Sequence, residues 1–311
     1  MGRDVSGADF SREDRQRYRQ KVRASLDVLA RVLREARFEE ERRSVGLEIE
    51  LNLTDEQGDP ALVNSQALEA IADADFQTEL GRWNLEINVP PRLLEGDVFA
   101  ELEAAVRRSL NHAEERARTV GAHMMLIGIL PTVGEGHLTR DSFSDNPRYE
   151  MLNEQIFAAR GEDLEISING VERLSTFADT IAPEAACTSV QLHQLVDPEA
   201  FASFWNAAQV IAGPQVAVAA NSPFFFGKEL WRETRIALFE QATDTRPEEL
   251  KAQGVRPRVW FGERWINSIF DLFEENVRYF PALLPVCDEE DPEETLERGD
   301  TPNLAELQLH N

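Results

Sequence analysis

From Val45 to Leu53 the chain reads V-G-L-E-I-E-L-N-L, a strict alternation that no helix can use. Successive strand residues point to opposite faces, so Leu47, Ile49, Leu51 and Leu53 share one face and Glu48, Glu50 and Asn52 the other. A second run, Trp83 to Val89 (W-N-L-E-I-N-V), repeats the pattern with Asn84, Glu86 and Asn88 on its polar side. Two such strands demand a half-buried sheet whose second face is lined by carboxylates and amides, without a Lys, Arg or Thr to pair them. Same-face neighbours on a strand lie about 7 Å apart, which at an effective dielectric of ~20 is about 2.4 kcal/mol of repulsion between two carboxylates. A cation placed among them removes that cost. Mg²⁺ is the hard, oxygen-seeking candidate, held by a few carboxylates together with substrate phosphates. The same acids also suit the acid/base pair of a glycosidase, although no aromatic sugar platform accompanies them. An ordinary solvated sheet surface is the third reading.

The rest of the chain alternates irregularly between helical and strand patterns. Helical spacing marks Asp9 to Glu41, Ser65 to Ala72, Phe99 to Val120, Asn146 to Arg160, Pro198 to Ala220, Glu229 to Gln241 and Arg264 to Tyr279. Strands are expected at His123 to Leu130, Leu164 to Val171 and Ala186 to Val196, with Pro90 and Pro91 ending the Trp83 strand. Asp288 to Asp300 reads as an acidic solvated loop, and Pro302 to Asn311 begins to alternate again. Such an order favours α+β with a largely antiparallel sheet over a doubly wound fold. Residues 1–41 form an N-terminal amphipathic helical segment and 42–311 the main α+β domain.

Composition limits the partners. Thirty-two Lys and Arg against 57 Asp and Glu give a formal charge of −25, which repels phosphate backbones and argues against nucleic acid. No apolar run reaches membrane-spanning length, and the first twenty residues are polar, so a cytoplasmic protein without a membrane partner is expected. Cys187 and Cys287 stand a hundred residues apart with no metal-type spacing.

In T-S-V-Q-L-H-Q, Ser189, Gln191 and His193 share a face opposite Val190 and Leu192. This block, V-G-L-E-I-E-L-N-L, L-G-R-W-N-L-E-I-N, I-G-I-L-P, N-P-R-Y and A-N-S-P-F, taken in order, resembles the glutamate–cysteine ligase, or carboxylate–amine ligase, family of the GCS2 type. The resemblance runs from about residue 43 to the end. It implies a glutamine-synthetase-like fold, a curved antiparallel sheet lining a cleft with helices outside. It also implies ATP-dependent phosphorylation of the glutamate γ-carboxylate, followed by attack of the amine of cysteine or another amine, as in glutathione biosynthesis. By the match Glu48, Glu50 and Glu86 are magnesium ligands, with Glu48 and Glu50 also serving the chemistry. Gln191, His193, Arg148 and Asn84 face nucleotide or substrate, and Arg235 in R-E-T-R-I clamps a carboxylate or phosphate. Family members usually continue past L-A-E-L-Q-L-H-N into an Arg- and Glu-rich strand, so the chain reads as C-terminally shortened, and a binding remnant without turnover is the alternative. A homo-oligomer is possible; the amine acceptor is not legible.

Overall fold

The computed structural model describes residues 10–35, 38 and 43–308. Helix α1 (Arg12–Glu35) precedes strand β1 (Ser44–Thr54), which is the axis of the sheet. The remaining termini of the expected 9–41 helix lie largely outside the described residues. After β1 come α2 (Asn64–Ile71), β2 (Phe76–Thr78), β3 (Asn84–Leu93), α3 (Val98–Ala117) and the short β4 (His123–Met125). Next are α4 (Pro147–Arg160), the hairpin β5 (Leu164–Asn169) and β6 (Arg173–Ala178), then β7 (Val190–Gln194) and α5 (Pro198–Ala219). A small hairpin, β8 (Phe224–Phe225) and β9 (Lys228–Glu229), leads to α6 (Thr234–Ala242), α7 (Glu248–Ala252), α8 (Ile269–Tyr279) and α9 (Pro292–Glu297).

The fold is α+β. Five strands form one sheet in the order β2-β3-β1, with β4 and β7 dividing the far edge of β1 between them. Every pairing between these strands is antiparallel. The register carries the sequence pattern into space. Glu48 lies opposite Asn88 on one side and Gln191 on the other, Glu50 opposite Glu86, and Asn52 opposite Asn84. The polar positions of three strands therefore share one face. On the other face Ile49, Leu51, Leu53, Leu85 and Ile87 are buried beneath Ala67 and Ile71 of α2 and Leu102, Ala113 and Ala117 of α3. A fully buried Leu such as Leu51 stabilises the fold by roughly 1.5–3 kcal/mol.

A second core gathers Trp83, Ile129, Ile156, Ile166, Ile168 and Leu238 from the end of β3, the 127–133 loop, α4, β5 and α6. Helix α1 belongs to a third, smaller cluster, where Tyr18 and Val22 meet Phe280 and Leu307.

The structure departs from the sequence expectations in seven places. Strand β3 runs through Pro90 and Pro91 to Leu93, because β1 slips register between Val45 and Leu47 and the exposed prolines sit in that irregularity, with pairing resuming at Arg92 and Leu93. Only His123–Met125 of the apolar 123–130 run is strand; Ile129 and Leu130 are buried as loop residues instead. The 186–196 strand shrinks to β7, preceded by a 3₁₀ turn at Ala182–Ala186 that starts with Pro183 near its N-terminus. The 229–241 helix begins only at Thr234, after the hairpin, and the 264–279 helix begins after Ser268, whose hydroxyl accepts from the Asp271 amide. Within the acidic 288–300 stretch, Asp291 caps α9, Pro292 starts it, and Glu293 and Glu294 sit where the helix N-terminus favours anions. Finally, Ala305–Gln308 is a 3₁₀ turn with Leu307 buried against α1, not a strand. No helix among the described residues is long and apolar enough to cross a membrane.

Candidate active site

Where β1 and β3 pair, the polar face of the sheet is not solvent surface. Asn52, Asn84 and Glu86 are buried, and Glu48 and Glu50 half-buried. A chain of hydrogen bonds starts there and passes through widely separated parts of the sequence. Asn84 Nδ2 donates to Asn52 Oδ1 (3.2 Å), and Asn52 Nδ2 donates to the Ile127 carbonyl (3.1 Å) and to Thr188 Oγ1 (3.3 Å). The Thr188 amide donates to the Gly128 carbonyl (3.0 Å), and the Gly128 amide donates to Asn221 Oδ1 (3.1 Å). Arg235 completes the chain: its Nη1 donates to the Thr188 carbonyl and its Nε to Glu233. Glu233 in turn accepts from the Asn221 amide and the Ser222 hydroxyl, each at 3.1 Å. Gly128 is required at the crossing point. A Cβ there would stand 2.5 Å from Asn221 Oδ1 and 2.6 Å from Arg235 Nε, closer than any real contact. The E-L-N-L, W-N-L-E, I-G-I-L, T-S-V-Q, A-N-S-P and R-E-T-R blocks thus meet at one place.

Two adjoining cavities open beside this chain. The larger, about 590 Å³, is lined by Glu50, Gln191, Glu233 and Arg235 among others; the smaller, about 80 Å³, lies between Glu50, Glu79, Asn84 and Glu184. Phe239, Cys187 and Thr188 border both. Glu50 accepts the Ser189 amide at 2.7 Å. Burial, with repulsion from Glu86, still pushes its carboxyl up to about 7 against that hydrogen bond and the pull of Arg235. Glu184 is likewise raised to about 7, by burial and then by Glu50, with Arg148 opposing. Glu79 is raised by burial and by Glu86 and Glu50, and it shares a hydrogen bond with Glu86. Glu86 also accepts from Gln77 and from Asn88 (2.8 Å). Burial drives the Cys187 thiol up, which leaves it an inert wall rather than a nucleophile.

The expected site residues divide accordingly. Glu50, Asn84, Gln191 and Arg235 line the two cavities, and Glu86 stands behind Glu79. Glu48 lies further along the row with its carboxylate 3.3 Å from His193 Nε2, outside both linings. Arg148, in the first turn of α4 after the Asn146 cap, is close enough for its charge to act on Glu184 and Tyr149. His123 makes a contact of 3.2 Å with Glu114, away from the cleft. Sequence reasoning missed Glu79, Glu184, Thr188 and Glu233. Two of them carried a signal that could have found them: Glu233, beside Arg235 in the same R-E-T-R block, and Thr188, which opens the T-S-V-Q-L-H-Q block.

Among the described residues no three His, Cys, Asp or Glu side chains converge tightly enough to hold an ion alone. The donor set nevertheless suits magnesium, which takes one or two carboxylates and completes its shell from phosphates and water. Glu50 and Glu86 face each other across two strands, and the buried Asn84 Oδ1 has no hydrogen-bond partner. An orphan oxygen beside Glu50, whose carboxyl is reluctant to ionise, fits a hard cation.

An antiparallel α+β fold carrying an acid-lined cleft with one clamped arginine on the polar face of its sheet is a frame suited to handling charged small molecules. Residues 44–254, about two-thirds of the chain, match the model of glutamate-cysteine ligase family 2 (GCS2), and the chain belongs to that family. It is therefore a member of a family of carboxylate–amine ligases. No curated protein matches it.

Proposed function

We propose that the protein is an ATP-dependent ligase that joins the γ-carboxyl of glutamate to the amine of cysteine or a related amine, through an acyl phosphate. The observation that carries this reading is Glu50, paired across the strands with the buried Glu86, lining a cleft whose wall holds Arg235. In this reading the fold is glutamine-synthetase-like and the site takes ATP and magnesium. Glu50 and Glu86 hold the metal, with Glu48 next along the row. Bound there, the metal neutralises charge on the transferring phosphoryl group. The protein's own residues do the rest. Arg235, fixed by Glu233 and the Thr188 carbonyl, presents its remaining guanidinium edge to a substrate carboxylate or phosphate. Asn84 offers its free carbonyl oxygen to a donor such as an ammonium or a metal-bound water. Gln191 and His193, on exposed β7, border the side from which nucleotide enters, and Arg148 counters the acids at the far side. Phe239 and the apolar flank of Val216 and Ile236 limit water around the cleft.

The test is calorimetric titration of ATP into the protein with and without Mg²⁺, in wild type and in Glu50→Gln/Glu86→Gln. Magnesium-dependent binding in wild type and its loss in the variant is the expected result, followed by phosphate release on adding glutamate and cysteine. Nucleotide binding that ignores both magnesium and the double substitution would remove these acids from the site. Binding without phosphate release under any amine would reduce the protein to a non-catalytic member of its family.

A further inference from the structure

The most basic element of this acidic chain is its first helix. Helix α1 carries eight Arg and Lys against four Asp and Glu, in a protein of formal charge −25. Arg15, Arg19 and Arg23 follow at intervals of four residues and so form one row along the helix. That row is one wall of a cavity of about 300 Å³ between α1 and the end of α8, and Arg278 joins from the opposite wall. The remaining lining combines Tyr18 and Tyr279 with the apolar Val22, Val277, Phe280 and Pro281. A neighbouring groove of about 380 Å³ shares Arg15, Phe280 and Pro281 with it and adds Arg246, Arg256 and Arg258. No acidic side chain among the described residues lines either space.

The arginines differ in how they are held. Arg246 is paired with Asp244 (2.8 Å), Arg256 with Glu263 (3.0 Å) and Arg278 with Glu274 (3.2 Å), all from outside the cavities. Arg15 donates to the neutral Gln155 (2.7 Å). Arg19 and Arg23 have no hydrogen-bond or ion-pair partner among the described residues. Like charges four residues apart destabilise a helix, so three arginines in a row weaken α1 unless something anionic joins them. The volume falls in the range of small-molecule sites, and a guanidinium fork matches the oxygens of a phosphate two at a time.

We propose that this cavity is a second ligand site, separate from the sheet cleft, for a small phosphate monoester: Arg15, Arg19, Arg23 and Arg278 hold the phosphate, and Val277, Phe280 and Pro281 cover its apolar body. The site does not depend on the ligase reading, since none of its residues belongs to the cleft.

Phenyl phosphate, inorganic phosphate and benzoate are the probes, titrated calorimetrically in EDTA so that no divalent ion is present. Three proteins are compared: wild type, Arg19→Ala/Arg23→Ala, and Arg235→Ala. The two α1 positions are exposed and alanine is the best helix former, so the double variant keeps α1 intact, as circular dichroism would show. Wild type is expected to bind phenyl phosphate more tightly than either other probe, the α1 variant at least tenfold more weakly, and Arg235→Ala like wild type. No binding of phenyl phosphate by wild type overturns the inference. So does unchanged binding in the α1 variant, or loss in Arg235→Ala, which would move the ligand to the cleft. Inorganic phosphate binding as tightly as phenyl phosphate overturns the role given to the apolar wall.

Discussion

Leu85 and Leu192 occupy the same face of the same sheet, on the two strands that flank β1. Leu85 of β3 lies opposite Leu51 and is 0% exposed; Leu192 of β7 lies opposite Leu47 and is 66% exposed. Their residue type, strand pattern and pairing are equivalent. What separates them is the layer above. Helices α2 and α3 cover β1 and β3, whereas nothing among the described residues covers β7, whose five residues are all exposed. Helix α5, which follows β7, repeats the contrast: it is rich in Ala and Val yet has no buried residue, and Val218 is 88% exposed. Alternation assigns a side chain to a face, and packing by a distant element then decides whether that face leaves water.

The largest effect expected from this comparison lies on the covered side. Trp83 is fully buried where β3 enters the second core. Trp83→Ala should cost about 3–5 kcal/mol by removing a large buried ring and leaving a void. Denaturant titration measures it, and a loss below about 1.5 kcal/mol would mean that this core is far looser than its burial indicates.

The next effect probes the crossing that joins the covered sheet to the cleft. Gly128→Ala forces a methyl against Asn221 and Arg235. The expected result is destabilisation by about 1–3 kcal/mol from overpacking, with ligase turnover lost more completely than the fold, because Arg235 must shift. Wild-type turnover in this variant would show that the position of Arg235 does not matter to the reaction.

Smaller again is the pH response of Glu184. Its carboxyl is pushed from the ordinary 4.5 to about 7 in the folded protein, so the native state holds the proton more tightly than the unfolded chain. The stability this brings is full below about pH 4.5 and is lost as pH rises through about 7. Glu184→Gln is permanently neutral. In EDTA it should match wild type near pH 4.5 and exceed it at pH 8 by on the order of 1 kcal/mol. Equal stability of the two proteins at pH 8 would show that Glu184 ionises freely and that the cleft is wetter than its burial suggests.

The same contrast explains what the sequence disclosed. β1 and β3 as far as Val89 were legible residue by residue because alternation over nine and seven positions fixes both faces, and the register then set Glu50 opposite Glu86. The site's polar row was legible for the same reason. Its depth was not, since Asn52 and Asn84 are buried by the 127–128 loop and Thr188, which lie far away in sequence. Glu79 follows a three-residue strand and Glu184 lies within a 3₁₀ turn, short segments where no period marks a face. The β5–β6 hairpin was half missed: R-L-S-T-F-A carries too few apolar residues to stand out. Strand β7 was overextended because the apolar character of Ala186 serves the second core and that of Cys187 the cleft wall instead.

The smallest effect is the sharpest test of the comparison. Leu192→Ser removes an apolar side chain from the same sheet face as Leu85, at a position already open to water. The transfer contribution of a side chain scales with the area it hides, so the loss should stay within about 0.5 kcal/mol, the range of an ordinary surface change. Amides of β7 should likewise exchange with solvent faster than those of β1 and β3, since exposed ladders open at little cost. A loss above about 1.5 kcal/mol, together with protected β7 amides, would mean that β7 is covered in solution. Dilution separates the two ways this can happen. If a second copy provides the cover, sedimentation velocity shows a dimer and the Leu192→Ser penalty shrinks as the protein is diluted. If the chain covers β7 itself, the penalty is independent of concentration.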